Sequence, residues 1–564
     1  MAAFSNASRP RLPGVAPCAA AALLLCLTAC TVGPDYVAPR PDTPESFGGL
    51  ERTAQTANPS VAQAAEPDPN WWRAFKDPVL DSLIQRAIAG NLSLRQAVLR
   101  IAGAREQVVQ ARGAGLPAVN FQGSAKRQQL GVEGMLDSAH VRDRIQQSGS
   151  TEVSSVIDRL TDPVNLYQLG FDASWELDLF GRVRRSVEAA DAQTLESVEQ
   201  RNDALVSLEA EVARAYLQLR GAQTVADTMR TQIRIAEDSL QLTEDRRRNG
   251  LAPQTDVENA RAQLGGLRAQ LPQYDSQARQ AMNGLAVLLG QPPGALDAEL
   301  STPAPMPALP AAVPVGVPSS LARRRPDVRR AEASLHAATA NIGVSVAQLF
   351  PDVSLTGQFG LRNTQLDYLT RWGSHFYSFG PSVSLPIFQG GRLVSNVRLS
   401  RAQQASAALD YRQTVLTALQ DVENALVAYR TDQERVDGLD QTAASLQNSY
   451  DLASDSYRKG LISFIEVLDA QRQLAQARQQ ATQARVQTST DLVTLYKALG
   501  GGWEPYTSVQ LPTYKVFGPA ETPQSAAPAA DASSPGAATP GAAAAHERNS
   551  NGHRGEPAGS PLAS

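Results

Sequence analysis

Three acids beside two glycine turns, and one cysteine near the start, are the residues of this chain whose types and spacing could do chemistry. Glu466 and Asp469 follow the turn glycine Gly460. They stand three residues apart, so on a helix they share a face. Asp256 follows Gly250 in the same way. Repeated around an oligomer, such acids would form rings of carboxylates, which attract cations and restrict a narrow pore. Glu466 also has a local reading. Ser463-x-x-Glu466 has the spacing of a capping box, and acids suit helix N-termini. Asp469 lies beyond the positions where capping acts, so that reading does not cover it.

Cys30 offers a different chemistry. Arg9 and Arg11 precede an apolar run, Ala19 through Leu27, that is too short to span a bilayer. The run ends in Leu27-Thr28-Ala29-Cys30, the pattern of a lipobox, where cleavage before the cysteine frees it for acylation. Several acyl chains on one residue anchor stably. Thr31, rather than Asp, follows the cysteine, which favours the outer membrane over retention in the inner one.

Enzyme chemistry finds no footing. Cys18, Cys26 and Cys30 are the only cysteines, so no disulfide, thiolate metal site or catalytic thiol belongs to the body of the chain. The five histidines form no HExxH pair, and no phosphate loop or nucleophile–base arrangement appears. No cofactor or metal is implied. A net charge of −4 gives no basic balance for nucleic acid. No segment after the leader has the length of apolar residues that a transmembrane helix needs.

The elements that must position these residues repeat. Asp245-Arg-Arg-Arg-Asn-Gly250-Leu251 matches Asp455-Ser-Tyr-Arg-Lys-Gly460-Leu461 at an offset of 210. The register holds without gaps from Val212 and Val422 to Leu289-Gly290 and Leu499-Gly500. Upstream, Leu116-Pro117 matches Phe350-Pro351 at an offset of 234, and Phe180 matches Phe388 at 208. The first copy therefore carries 26 extra residues between Lys126 and Leu166, a Gly-, Ser- and charge-rich stretch expected to be an exposed loop. Each copy reads helix, strand, loop, strand, very long helix, turn, helix.

Four segments alternate with period two: 119–126, 167–177, 353–362 and 378–387. Alternation predicts strands with two unlike faces. Their length suits a tilted crossing of a bilayer, and Tyr167, Trp175 and Phe388 lie near their ends, where aromatic girdles belong. Four strands cannot close a barrel, and open edges in lipid leave backbone groups unpaired. The chain must oligomerise, and two or three copies would serve. From Gly181 to about Asn249, and from Gly391 to about Lys459, no proline interrupts. Each stretch predicts a helix of about 100 Å, with an apolar seam at three- and four-residue spacings. The helices after Pro253 and Ser463 are placed to pack back on them.

The predicted organisation is a lipoprotein signal peptide (1–29), an extended N-terminal segment (30–70), a first repeat (71–290), a proline-rich equatorial connector (291–318), a second repeat (319–503) and a Pro/Ala/Ser-rich tail (504–564).

Several motifs carry a resemblance. Cys30-Thr-Val-Gly-Pro-Asp-Tyr36, Trp71-Trp72 with Asp77-Pro-Val-Leu-Asp81, Pro318-Ser-Ser-Leu-Ala-Arg-Arg-Arg-Pro-Asp327, Leu349-Phe350-Pro351 and Val467-Leu-Asp-Ala-Gln471 resemble the TolC-type outer-membrane efflux proteins, in their lipoprotein branch. The resemblance covers about Cys30 to Trp503. It implies an α+β membrane protein: a homotrimer with a twelve-stranded β-barrel in outer-membrane lipid, four strands per protomer, continued by a helical coiled-coil tunnel. It implies a periplasmic adaptor (membrane fusion) protein and an inner-membrane RND-type pump as partners, with the energy supplied by the pump. It places a gate at Glu466, Asp469 and Asp256, with Tyr457 held by Thr255 and Asp256, and adaptor contacts at Gly250, Leu251, Gly460 and Leu461. Turn chemistry alone would also account for the two glycines. One family gate arginine corresponds here to Ile462, so Arg458 or Arg248 is expected in its place. A duct for protein secretion and a non-transporting envelope tether are the competing functions.

Overall fold

A computed structural model of the chain describes residues 31–40, 43–49, 61–129, 134, 138, 162–512, 514 and 516. The leader with Cys30, most of the 26-residue insertion and the tail after Val516 lie outside them. One compact unit runs to Leu511. Beyond it, Pro512, Tyr514 and Val516 are described.

In chain order the main elements are β1 (Val61–Gln63), α1 (Pro78–Gly90), α2 (Leu92–Gly113), β2 (Ala118–Gln128), β3 (Val164–Glu176), α3 (Arg182–Arg248), α4 (Gln254–Leu288), β4 (Ala312–Pro314), α5 (Pro318–Arg324), α6 (Pro326–Ala347), β5 (Asp352–Asn363), β6 (His375–Ser384), α7 (Arg392–Arg458) and α8 (Phe464–Leu499). The order helix, strand, strand, long helix, helix occurs twice, as the repeat requires.

β2, β3, β5 and β6 form one antiparallel sheet in that order. Its register separates two faces. Phe121, Phe171, Phe359 and Tyr377 lie opposite one another across the four strands, and so do Val119, Ala173, Gly357 and Phe379. The other face carries Asn120, Asp172, Gln358 and Ser378 in one row and Ser124, Gln168 and Arg362 in another. The aromatic face is exposed on a single chain, as an apolar surface meant for lipid would be. The fourth strand is shorter than the alternation suggested. It ends at Ser384, opposite Asp352, where β5 begins. Pro386 has no N–H to continue the ladder, so Leu385 and Ile387 follow the strand rather than belong to it.

The two long helices have 67 residues each, about 100 Å at 1.5 Å per residue. Both hairpins turn alike. Gly250 and Gly460 take positive φ values of 73° and 77°. Leu251 N donates to Arg246 O at 2.8 Å, and Leu461 N to Ser456 O at 3.0 Å, which ends each helix in a Schellman turn. α4 returns along α3, and α8 along α7. α3 buries far more than the expected seam. It packs on α1, α2, α4, α6 and α8, whereas α7 packs on α5, α6 and α8. The two helices are matched in sequence register but not in surroundings.

Midway along the hairpins lies the main core. Trp71 stacks on Tyr496 at 5.0 Å, and Trp72 Nε1 donates to Asp81 at 2.8 Å. Asp77 caps α1 by accepting from Val79 N and Leu80 N, and its other oxygen accepts a hydrogen bond from the Tyr216 hydroxyl at 2.6 Å. The N-terminal Trp-Trp and Asp-Pro-Val-Leu-Asp motifs thus clasp the middle of α3 and the end of α8. Arg325 is the matching clasp of the second copy. It bonds Asp327, Asp421 of α7 and the carbonyl of Ala498 on α8.

A second buried polar contact joins the hairpin of copy two. Asp491 of α8 is buried against Asp432 of α7 and accepts from Gln487 at 2.8 Å. Burial first, and the neighbouring carboxyl second, push its pKa up to about 7. An acid whose folded value is raised favours the fold when protonated. That contribution is complete below about pH 4, the unfolded value, and is lost as pH rises through about 7. Asp491→Asn is therefore expected to flatten the pH dependence of the melting temperature between pH 5 and 8, and to raise it most at pH 8. Equal effects at both ends of that range would overturn the assignment.

Candidate gate at the hairpin tips

At the tips the two unequal copies meet. Phe464, Val467 and Leu468 of α8 pack with Tyr457 of α7 and Ala260 of α4 in a small apolar cluster separate from the main core. The Tyr457 and Phe464 rings lie 5.4 Å apart. Leu240, Leu242, Tyr450 and Ile462 lean on the cluster. Ile462, which the resemblance sets in place of a gate arginine, is packed with apolar neighbours.

The arginine that ties the tips together comes from the other hairpin. Arg246, in the last turn of α3, lies over the Tyr457 ring at 4.6 Å. Its Nη1 donates to the carbonyls of Tyr457 at 2.8 Å and Arg458 at 3.0 Å, at the C-terminal end of α7. A cation there also meets the negative end of the helix dipole. Within one chain this contact is made by Arg246, where Arg458 or Arg248 was expected. Arg248 pairs with Asp245 on its own helix, and Arg458 offers its carbonyl. Sequence reasoning missed Arg246 because three arginines stand in a row. No feature along the sequence separates it from Arg247 and Arg248.

The remaining expected residues divide by surroundings. Asp256 is half-buried and faces Tyr457, whose phenol is pushed up by burial and then by the Asp256 charge. The hydroxyl makes no hydrogen bond of ordinary length and angle. Asp256 is itself raised, by burial, with Tyr457 and Arg246 acting against that. Thr255, the other expected partner, is exposed beside them. Glu466 caps α8. Its Oε1 accepts from Ser463 N at 3.3 Å and Ser463 Oγ at 3.0 Å. Asp469 is exposed, accepts from Gln473 at 2.7 Å, and lies on the same face as Glu466. Leu251 and Leu461 stand 65% and 73% exposed on the glycine turns. Among the described residues no helix is long and apolar enough to cross a membrane, and no group of side chains could hold a metal ion.

The sheet, the paired hairpins and the repeat have counterparts among known proteins. Residues 83–291 and 317–501 match the family described as outer membrane efflux protein. The chain belongs to the outer membrane efflux protein family. It is 34% identical to the antibiotic efflux pump outer membrane protein ArpC of Pseudomonas putida, over 85% of this chain and 94% of ArpC. The toluene efflux pump outer membrane protein TtgC, also of Pseudomonas putida, gives the same identity and coverage. Among solved structures, the outer-membrane channel OprN shares 34% identity with a TM-score of 0.74, over 84% of this chain and all of that one. This efflux protein is accordingly an outer-membrane channel component of a pump. Its fold is that of a barrel closed by three copies of the four-stranded sheet and continued by a helical tunnel.

The tip contacts make one prediction. Two charge-assisted hydrogen bonds and a cation–π contact on a half-exposed arginine are together worth about 2 kcal/mol. Arg246→Ala should shift the balance between a tight and a splayed tip by roughly thirtyfold. In planar bilayers this variant is expected to show higher single-channel conductance than the natural protein. Unchanged conductance would remove Arg246 from the gate.

Proposed function

We propose that this efflux protein is, as a homotrimer, the exit duct for drugs and other toxic small molecules. It docks by its tips on a periplasmic adaptor protein, and through that on an inner-membrane RND-type pump. It catalyses no reaction and draws its energy from the pump. The observation that carries this reading is the pair of tips. Each ends in the same turn with an exposed leucine, Leu251 or Leu461, at the far end of a hairpin from the sheet. In a trimer the apolar tip residue occurs six times in one ring, a surface suited to an apolar partner. The substrate class follows the relatives, whose names specify antibiotics and toluene.

Glu466, Asp469 and Asp256 serve as the acidic lining of the tip, Tyr457 and Arg246 as its clasp, and Thr255 as a neighbour of that clasp. Gly250 and Gly460 set the turns that present the leucines. Acyl chains on Cys30 complete the assignment. Its covalent neighbour Thr31 sits against Gly181, and Val32 N donates to Phe180 O at 3.2 Å. These contacts lie between the end of β3 and the start of α3, at the height where a barrel leaves the bilayer.

Two measurements test the proposal. A deletion strain should become susceptible to apolar drugs and solvents. The natural gene should restore resistance, while Leu251→Ser with Leu461→Ser should fail to restore it although the trimer forms. Full rescue by the double variant would sink the docking role. Cys30→Ser should abolish palmitate labelling, and labelling that persists would refute the anchor.

A further inference from the structure

The sheet carries a charged residue that the gate does not use. On the face opposite the aromatic rows, Gly170 and Gly360 lie side by side. A Cβ on Gly360 would come within 3.0 Å of Phe376 Cε1, so the missing side chain leaves the ring a seat on the sheet. Phe376 is half-buried there, whereas its strand neighbour Tyr377, on the aromatic face, is exposed. The Arg362 guanidinium lies over the Phe376 ring at 4.3 Å, and its Nε donates to Gln168 Oε1 at 3.1 Å. Among the described residues it forms no ion pair. An arginine on an open sheet would ordinarily sample many rotamers. This one is held by a ring beneath and an amide beside it.

Its place in the duct follows from topology. The polar face of a transmembrane barrel lines the lumen. β3 and β6 lead into the long helices at the Glu176 and Ser384 end, so the Arg362 end is the outer mouth. Lys126 lies one row further out on the same face. Towards the helices that face carries Asp172, Glu176 and Asp352 instead, with Glu176 paired to Arg182.

We propose that Arg362, fixed by Phe376 and Gln168, is a selectivity-determining residue of the outer mouth, and that it favours anionic over cationic solutes there. The proposal rests on the channel reading and on the polar face being lumenal.

Ser124→Cys, in the row of Gln168 and Arg362, provides the probe. In intact cells carrying the full-length protein, it is reacted with an anionic sulfonatoethyl and a cationic trimethylammonium methanethiosulfonate. The ratio of the two rates reports the local potential and cancels the intrinsic reactivity of the thiol. Arg362→Gln should lower the anionic-to-cationic ratio about twofold, since the charge lies about a Debye length away, and Arg362→Glu should lower it further. Phe376→Leu keeps the charge but frees it, and should lower the ratio less than Arg362→Gln. A ratio equal in all backgrounds overturns the role of Arg362. A ratio unmoved by Phe376→Leu overturns the clamp. A thiol that neither reagent reaches overturns the lumenal placement, while drug resistance in the same cells reports separately on the channel.

Discussion

Two unpaired strand edges govern the rest of this molecule. β2 and β6 each present a row of backbone N–H and C=O groups that no strand among the described residues meets. Unpaired groups in hydrocarbon cost several kcal/mol each, so a sheet spans a bilayer only when it closes on itself. One chain cannot close it, and edge-to-edge pairing of copies does. Closure aligns the aromatic rows outward and the Ser, Gln and Asn rows inward, since side chains alternate along every strand. It also sets the symmetry that multiplies each tip residue around the pore.

That demand at one end has to be matched by order at the other. A helix of 67 residues amplifies any error in its starting angle, and the tips lie far from the sheet. The clasps midway along supply the correction. Asp77, Tyr216 and Arg220 tie the N-terminal segment to α3, and Arg325 ties α6 to α7 and α8. Gly500, at φ +71°, passes so close to Arg325 that a Cβ there would stand 2.5 Å from its Cγ. The Arg-Pro-Asp and Leu-Gly motifs of the sequence are thus two sides of one contact. Arg325 is nearly buried, and a buried ion pair stabilises only when its remaining donors are satisfied. Here the carbonyl of Ala498 takes one of them.

Much of this was legible in the residues. The period-two runs located all four strands because one face of each must differ from the other. The absence of proline located both long helices, and the glycines located both turns. What escaped depended on neighbours distant in sequence. The end of the fourth strand is set by where β5 begins. The breadth of burial on α3 is set by the number of elements packed around it, which periodicity along one helix does not register. At the tips, the acids could be found from their spacing, and Tyr457 from the family resemblance. Arg246 could not be singled out among three consecutive arginines, because only the rotation of α3 about its axis decides which one faces the other hairpin.

The inequality of the two copies then has a physical reason. If both hairpins ended alike, each tip would meet its neighbours through equivalent contacts, and no pair would be distinguished. Ser456 and Tyr457 in one copy against Arg246 and Arg247 in the other break that equivalence. The cation of copy one reaches the helix end and ring of copy two, while the equivalent position of copy two, Ser456, carries no cation. The two hydrogen bonds and the ring contact of Arg246 differ in kind from the packing of Phe464, Val467 and Leu468 on Ala260, and Tyr457 takes part in both. The tip thus combines an apolar contact and a polar one that meet at Tyr457.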